Sequence, residues 1–182
     1  MSTTKWSLDP THSELGFKIK HMMISHVSGS FKDFNVSLDM QHNDFSTAKV
    51  RVTAAMSSIN TSNEQRDAHL RNADFFETEK YPELVFESTR VEKVDADHFH
   101  LHGDLSFRGV TKPVTLNVEY NGATKDPWGN ERAGYLVTGK INRTDWGITF
   151  NSVLETGGLM LGEEVKIHSE IELVKQTAAV AA

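Results

Sequence analysis

The chain contains no cysteine among its 182 residues. Disulfides, thiolate metal centres and cysteine nucleophiles are excluded, and the absence by itself fits reducing and oxidising compartments alike. Long apolar runs are missing as well, and no stretch approaches the ~20 residues of a membrane-spanning helix. Basic charge is in short supply: 19 Lys and Arg stand against 25 Asp and Glu, a formal net charge of -6. That balance argues against nucleic acid as a partner, because phosphate-backbone binders present basic surfaces. It argues equally against a polybasic anchor, so no stable membrane insertion is expected. The opening Met1–Trp6 lacks the charged and apolar regions of a signal peptide. As written, the chain is expected in the cytoplasm, or in the periplasm if it is a trimmed mature form. Catalytic signatures are also absent: there is no Gly-x-Ser-x-Gly elbow, phosphate-cradling glycine loop or dinucleotide fingerprint. No catalytic residue is assigned, and the expectation is that the protein is not an enzyme.

What the chain does have is alternation of period two. With 38% hydrophobic and 24% charged residues it has the composition of an ordinary globular protein. Leu15, Phe17, Ile19 and His21 share one strand face, and Phe34, Val36, Leu38 and Met40 another. Val50–Met56, Leu84–Val91, Phe99–Phe107, Val114–Tyr120, Tyr135–Ile141 and Val165–Leu173 repeat the pattern, and Trp6–Leu8 adds a short edge candidate. Turn signals such as Asn121-Gly122, Asp126-Pro127-Trp128-Gly129-Asn130 and Gly157-Gly158 separate the later strands. One short helix is predicted near residues 63–72. The fold class is therefore all-β: an eight-stranded antiparallel barrel with one helix closing or flanking it. Residues 1–182 read as one domain, with a frayed tail at 176–182.

A barrel of eight strands is either just filled by side chains or able to hold one small ligand. Ala54, Ser88, Gly103, Gly139 and Ser169 place small residues mid-face, which points to a hollow interior. The competing explanation is that they are bend points, or spaces for bulky rings across the barrel.

The polar candidates divide by face. His98, His100 and His102 share one strand face, but it is the outward one, so a solvated surface explains them better than a metal site, and no metal ligand is assigned. His21 sits on an inward face, either as a satisfied core side chain or as a polar anchor. His12, in Asp9-Pro10-x-His12-Ser13, lies in a turn whose chemistry accounts for it. Arg66, His69 and Arg71 fall on the helix, where Asp67 and Arg71 are spaced to pair. They are the best candidates to meet a polar head group at a cavity mouth; the bland alternative is a helix fastened across the barrel end by salt bridges and by Leu70, Phe75 and Phe76.

Several separated motifs resemble the YceI-like family of polyisoprenoid-binding, lipocalin-like barrels. They are Trp6-x-Leu8-Asp9-x-x-His12-Ser13-x-x-x-Phe17-x-Ile19-x-His21-Met22 and the Arg66–Ser88 stretch, followed by Gly103-x-Leu105-x-x-Arg108-Gly109-Val110-Thr111-Lys112-Pro113-Val114. Arg143-x-Asp145-Trp146-Gly147-Ile148 and Leu161-Gly162-x-x-Val165 complete the set, which spans Trp6 to Leu173. The resemblance implies an extended barrel around a long apolar cavity holding an isoprenoid quinone, a prenyl phosphate or another long-chain amphiphile, with no other cofactor required. It also implies frequent homodimers and, in many members, a stress response.

The expected apolar lining is Phe17, Ile19, Phe34, Val52, Ala54 and Phe86, together with Leu105, Phe107, Leu116, Gly139, Ile141 and Trp146. The expected head-group contacts are His21, Arg66, His69 and Arg71. Two rivals to a lipid carrier stand beside it: an enzyme acting on an isoprenoid or lipid, and a structural or stress-interaction protein.

Overall fold

The computed structural model describes residues 2–177. Of the expected frayed tail, residues 178–182 lie outside the described residues. Gln176 is not frayed: its backbone N–H donates to the Lys5 carbonyl at 2.8 Å.

Among the described residues, eleven strands form one antiparallel sheet that closes on itself. They are β1 (Thr3–Leu8), β2 (Glu14–His21), β3 (Ser25–Phe31), β4 (Phe34–Gln41), β5 (Asp44–Ala55) and β6 (Ile59–Asn60). After helix α1 (Glu64–Arg71) come β7 (Glu83–Lys93), β8 (His98–Phe107), β9 (Val110–Lys125), β10 (Glu131–Asn142) and β11 (Leu161–Lys175). Closure follows from β1 pairing with both β4 and β11. The eight-stranded barrel emerges because consecutive short strands are halves of longer bent ones. β1 and β2 both run along β11, with Leu8 opposite Leu173 and Glu14 opposite Glu170. β3 and β4 answer them on the other side.

The period-two faces locate most strands, but β3 was not expected. Its sequence, Ser-His-Val-Ser-Gly-Ser-Phe, carries one apolar residue before Phe31, too little alternation to register. Tertiary pairing with β2 makes it a strand.

Helix α1 is set by Asn63, whose side chain accepts the Arg66 N–H at 2.9 Å. The expected Asp67–Arg71 ion pair does not form. Asp67 is buried and accepts from the Thr61 N–H at 2.9 Å and the Thr61 hydroxyl at 2.5 Å. Arg71 donates instead to the carbonyls of Ser57 and Ile59. Asp67 and Arg71 thus each fasten the helix to the segment before it, Asp67 through Thr61 and Arg71 through Ser57 and Ile59.

β3 pairs beyond β2 only through Ser30 and Phe31, which face Asn60 and Ile59 of β6. The stretch 56–82, carrying α1, therefore serves as wall where a strand is missing. Phe76 from that stretch meets the Phe31 ring at 6.4 Å. Strand, helix and aromatic loop together form one end of the barrel.

The opposite end is latched by charge. Arg132 on β10 donates to Asp9, in the bend between β1 and β2, to Asp126 in the β9–β10 turn and to Glu172 on β11. These bonds hold the Asp9 and Asp126 carboxyls well below the usual range, Thr11 and His12 contributing most at Asp9. His12 is raised by its bond to Asp9. Asp9, His12 and Glu172 lie close enough to suggest a metal, but Arg132 already neutralises two of them.

Candidate functional site

The barrel is hollow. A cavity of about 380 Å³ lies inside it, bounded almost wholly by carbon, a size within the range of small-molecule sites. Leu15, Phe17, Ile19, Val52, Leu116 and Ile141 all point inward yet are only partly buried. They face the cavity rather than solvent, and their side chains stop short of meeting in the middle.

The small inward residues have a different role from the one the pattern suggested. A Cβ on Gly103 would lie 2.4 Å from the Phe86 ring, and one on Gly29 would lie 2.5 Å from the Phe17 ring. A Cβ on Gly139 would come within 2.8 Å of Leu116 Cδ2. These glycines let bulky cavity-lining neighbours lie against the wall. Ser88 and Ser169 bond to backbone N–H groups of Val50 and Gly16.

Of the expected lining, Phe17, Ile19, Val52, Phe86, Leu105, Phe107, Leu116 and Ile141 border the cavity. Phe34, Ala54, Gly139 and Trp146 do not. Phe34 and Ala54 pair with each other where β4 and β5 pack beyond the cavity. Gly139 lies beneath Leu116, as described. Trp146 is buried behind the wall: its indole N–H donates to the Leu105 carbonyl at 3.0 Å, and its ring stacks on Phe107 at 5.0 Å. Alternation tells which face a residue occupies, not how far along the barrel the void extends.

One end of the cavity is shut. Leu38 and Leu173 are fully buried there, and Phe45 packs against Phe99 at 4.9 Å and Tyr135 at 5.2 Å. Burial raises the Tyr135 hydroxyl above its ordinary range, so it stays neutral.

The other end collects the polar groups. His21, Thr61, Arg66, His69 and Arg143 all border the cavity near the helix. Arg66 is exposed to solvent and still lines the cavity, which marks this end as the mouth. Its guanidinium donates to the Thr61 hydroxyl at 2.7 Å and carbonyl at 2.6 Å. His69 is held by Asp74 at 2.8 Å and packs edge-on against Phe75 and Phe150. Arg71 does not reach the cavity, since its donors are taken by the two carbonyls that anchor the helix.

Arg143 was not among the expected contacts. It is 4% exposed, and it donates to the carbonyls of Gly162, Ile148 and Phe150 at 2.9–3.0 Å. Among the described residues no carboxylate lies within ion-pair distance, and burial pushes its pKa down. A buried cation without a counter-ion at the edge of an apolar cavity suits an anionic or strongly polar group. The signal available in the sequence was an arginine opening the Arg143–Ile148 block between two apolar stretches.

A closed antiparallel barrel with an apolar interior and a polar mouth defines a lipocalin-like binding fold. The YceI-like domain model matches residues 6–173, and the chain belongs to that family. A UPF0312 protein of Staphylococcus aureus strain N315 is 45% identical over 170 residues, 93% of this chain and 96% of its own. The crystal structure of the Campylobacter jejuni YceI protein superposes with a TM-score of 0.76 at 34% identity, covering 93% of this chain and 97% of that one. A polyisoprenoid binding domain from Saccharophagus degradans, implicated in plant cell wall breakdown, shares the fold at a TM-score of 0.63 and 16% identity, over 94% and 98% of the two chains.

Proposed function

We propose that the protein binds a long-chain amphiphilic lipid of the polyisoprenoid class in the barrel interior and carries or sequesters it without chemical change. The single observation that supports this most is the cavity itself, with hydrocarbon walls, one shut end and its arginines and histidines gathered at the other. An apolar tail fits along the walls, and a quinone or phosphate head then falls beside Arg66, His69, His21 and Arg143. The fold shared with the S. degradans polyisoprenoid binding domain is in keeping with this ligand class.

The energetics are coherent. Removing hydrocarbon from water gains about 0.8 kcal/mol per methylene, but such a lipid resides in a bilayer. The cavity therefore needs only to match the bilayer's apolar environment and to exclude water from the tail. Discrimination falls to the few polar contacts at the mouth. Carriage requires no reaction, and we assign no nucleophile or base.

Uptake tests this reading. Purified protein incubated with vesicles carrying a fluorescent prenyl phosphate should leave gel filtration with the label bound, and an uncharged long-chain alkane should be taken up less well. Protein that emerges unlabelled with every prenyl or quinone ligand offered would refute it.

A further inference from the structure

The β2–β3 hairpin breaks a local rule beside the cavity mouth. Ile24 N–H bonds back to the His21 carbonyl at 3.2 Å, and the two residues between, Met22 and Met23, have φ of 53° and 64°. His21 pairs with Ser25, so the connection has three residues, and its first two hold the left-handed backbone that favours Asn and Gly because side chains crowd it. The β4–β5 hairpin meets the same requirement with His42-Asn43 at φ 50° and 56°. At the mouth, two methionines occupy those positions and an isoleucine follows.

All three are turned out to water. Met23 is 60% exposed and Ile24 84% exposed. The neighbouring loop adds Val153 at 79% exposed and Leu159. The two loops touch: the Met22 N–H donates to the Met160 carbonyl at 2.7 Å, and the Met23 sulfur lies 2.6 Å from where a Gly158 Cβ would be. His21 and Met160, the immediate neighbours of these exposed residues, border the cavity. The apolar patch is thus continuous with the lining.

We infer that this apex dips reversibly into a lipid bilayer and places the cavity mouth against it. The inference rests on the lipid-carrier reading above. Strained backbone persists where something other than folding selects it, and an exposed apolar cluster rimmed by polar residues marks an interaction surface. A bilayer is the occupant that fits, because a tail leaving it for the cavity must cross no water, and the continuous patch supplies that path. Charge permits the approach: the outer wall beside the mouth carries Lys18, Lys20, His26 and Lys166 against Glu163 and Glu164, in a chain of net charge -6. Met22, Met23 and Ile24 are adaptable or bulky apolar side chains at a protruding tip, suited to the boundary between headgroups and acyl chains.

Flotation with vesicles of phosphatidylcholine containing a minority of phosphatidylglycerol tests the inference. The wild-type protein should float with the vesicles, and Met23→Asp with Ile24→Asp should weaken this by roughly tenfold or more. A second variant, Met22→Asn with Met23→Gly, relieves the turn strain; it should fold at least as stably and still float less. Extracted lipid is measured for each, and the carrier reading fails separately if neither wild type nor variant holds any. Wild-type protein that never floats, or variants that float equally well, would overturn the docking inference. So would a wild-type dimer that fails to float and dissociates on the same substitutions, which would make the apex an interface between two copies.

Discussion

Replacing Val137 with tryptophan should close the cavity without breaking the barrel. Val137 lies on β10 between Val118 and Ser169, both of which also border the void. It is only partly buried although it points inward, so the added ring enters empty space rather than packed neighbours. Overpacking a filled core costs about 1–3 kcal/mol, and the void should keep this variant near the lower end. An indole in place of an isopropyl group displaces about three methylenes of a bound tail. At about 0.8 kcal/mol each, that is roughly 2.4 kcal/mol, a loss of affinity of about fiftyfold. Uptake of a fluorescent isoprenoid measures the loss, and urea unfolding measures the cost. Thr138→Trp, on the opposite face of the same strand, is the control and should bind normally. A folded Val137→Trp protein with unchanged affinity would refute the placement of the ligand.

The head-group assignment predicts that Arg66→Gln weakens retention of a prenyl phosphate several-fold more than that of the matching prenyl alcohol, as read by competition for the same fluorescent probe. Asp67→Ala leaves the buried Thr61 N–H and hydroxyl without an acceptor, so it should cost about 1–3 kcal/mol in urea denaturation. The Arg132 latch predicts a pH dependence. Asp126 is held at about 2 against an ordinary 3.8, and Asp9 is lowered too. Their contribution is full above the ordinary carboxylate value and is lost as pH falls through the depressed folded values. The stability gap between wild type and Arg132→Met should therefore be level near neutrality and narrow as the pH drops below about 4. His12 acts in the opposite sense: raised above 6.5 by Asp9, it stabilises fully below that value and loses its effect as pH rises through the folded one.

The sequence made the barrel legible because eight segments between Leu15 and Leu173 alternate apolar and polar residues, and alternation reports directly which side is wet. β3 escaped because Ser25–Ser30 has almost no apolar content, and its strand is imposed by β2. Hollowness was inferred from small residues of which Gly103 and Gly139 in fact make room for Phe86 and Leu116. The void itself comes from inward side chains that stop short of one another, a property of barrel diameter that no local pattern carries. Arg66 and His69 were legible as mouth residues because they sit on the one helix. Arg71 looked equivalent by spacing, but the carbonyls of Ser57 and Ile59, far off in neither sequence nor space, claim it. Arg143 was missed because its burial depends on the turn at 143–146 folding in behind β11.

The central claim is that the barrel holds a lipid. Native mass spectrometry of protein purified without detergent, with solvent extraction of the same sample, tests it most directly. A mass above that of the bare chain, released by the solvent as a long-chain isoprenoid, is the predicted result. The bare mass alone, with nothing in the extract and none taken up after incubation with isoprenoid-bearing vesicles, would contradict it.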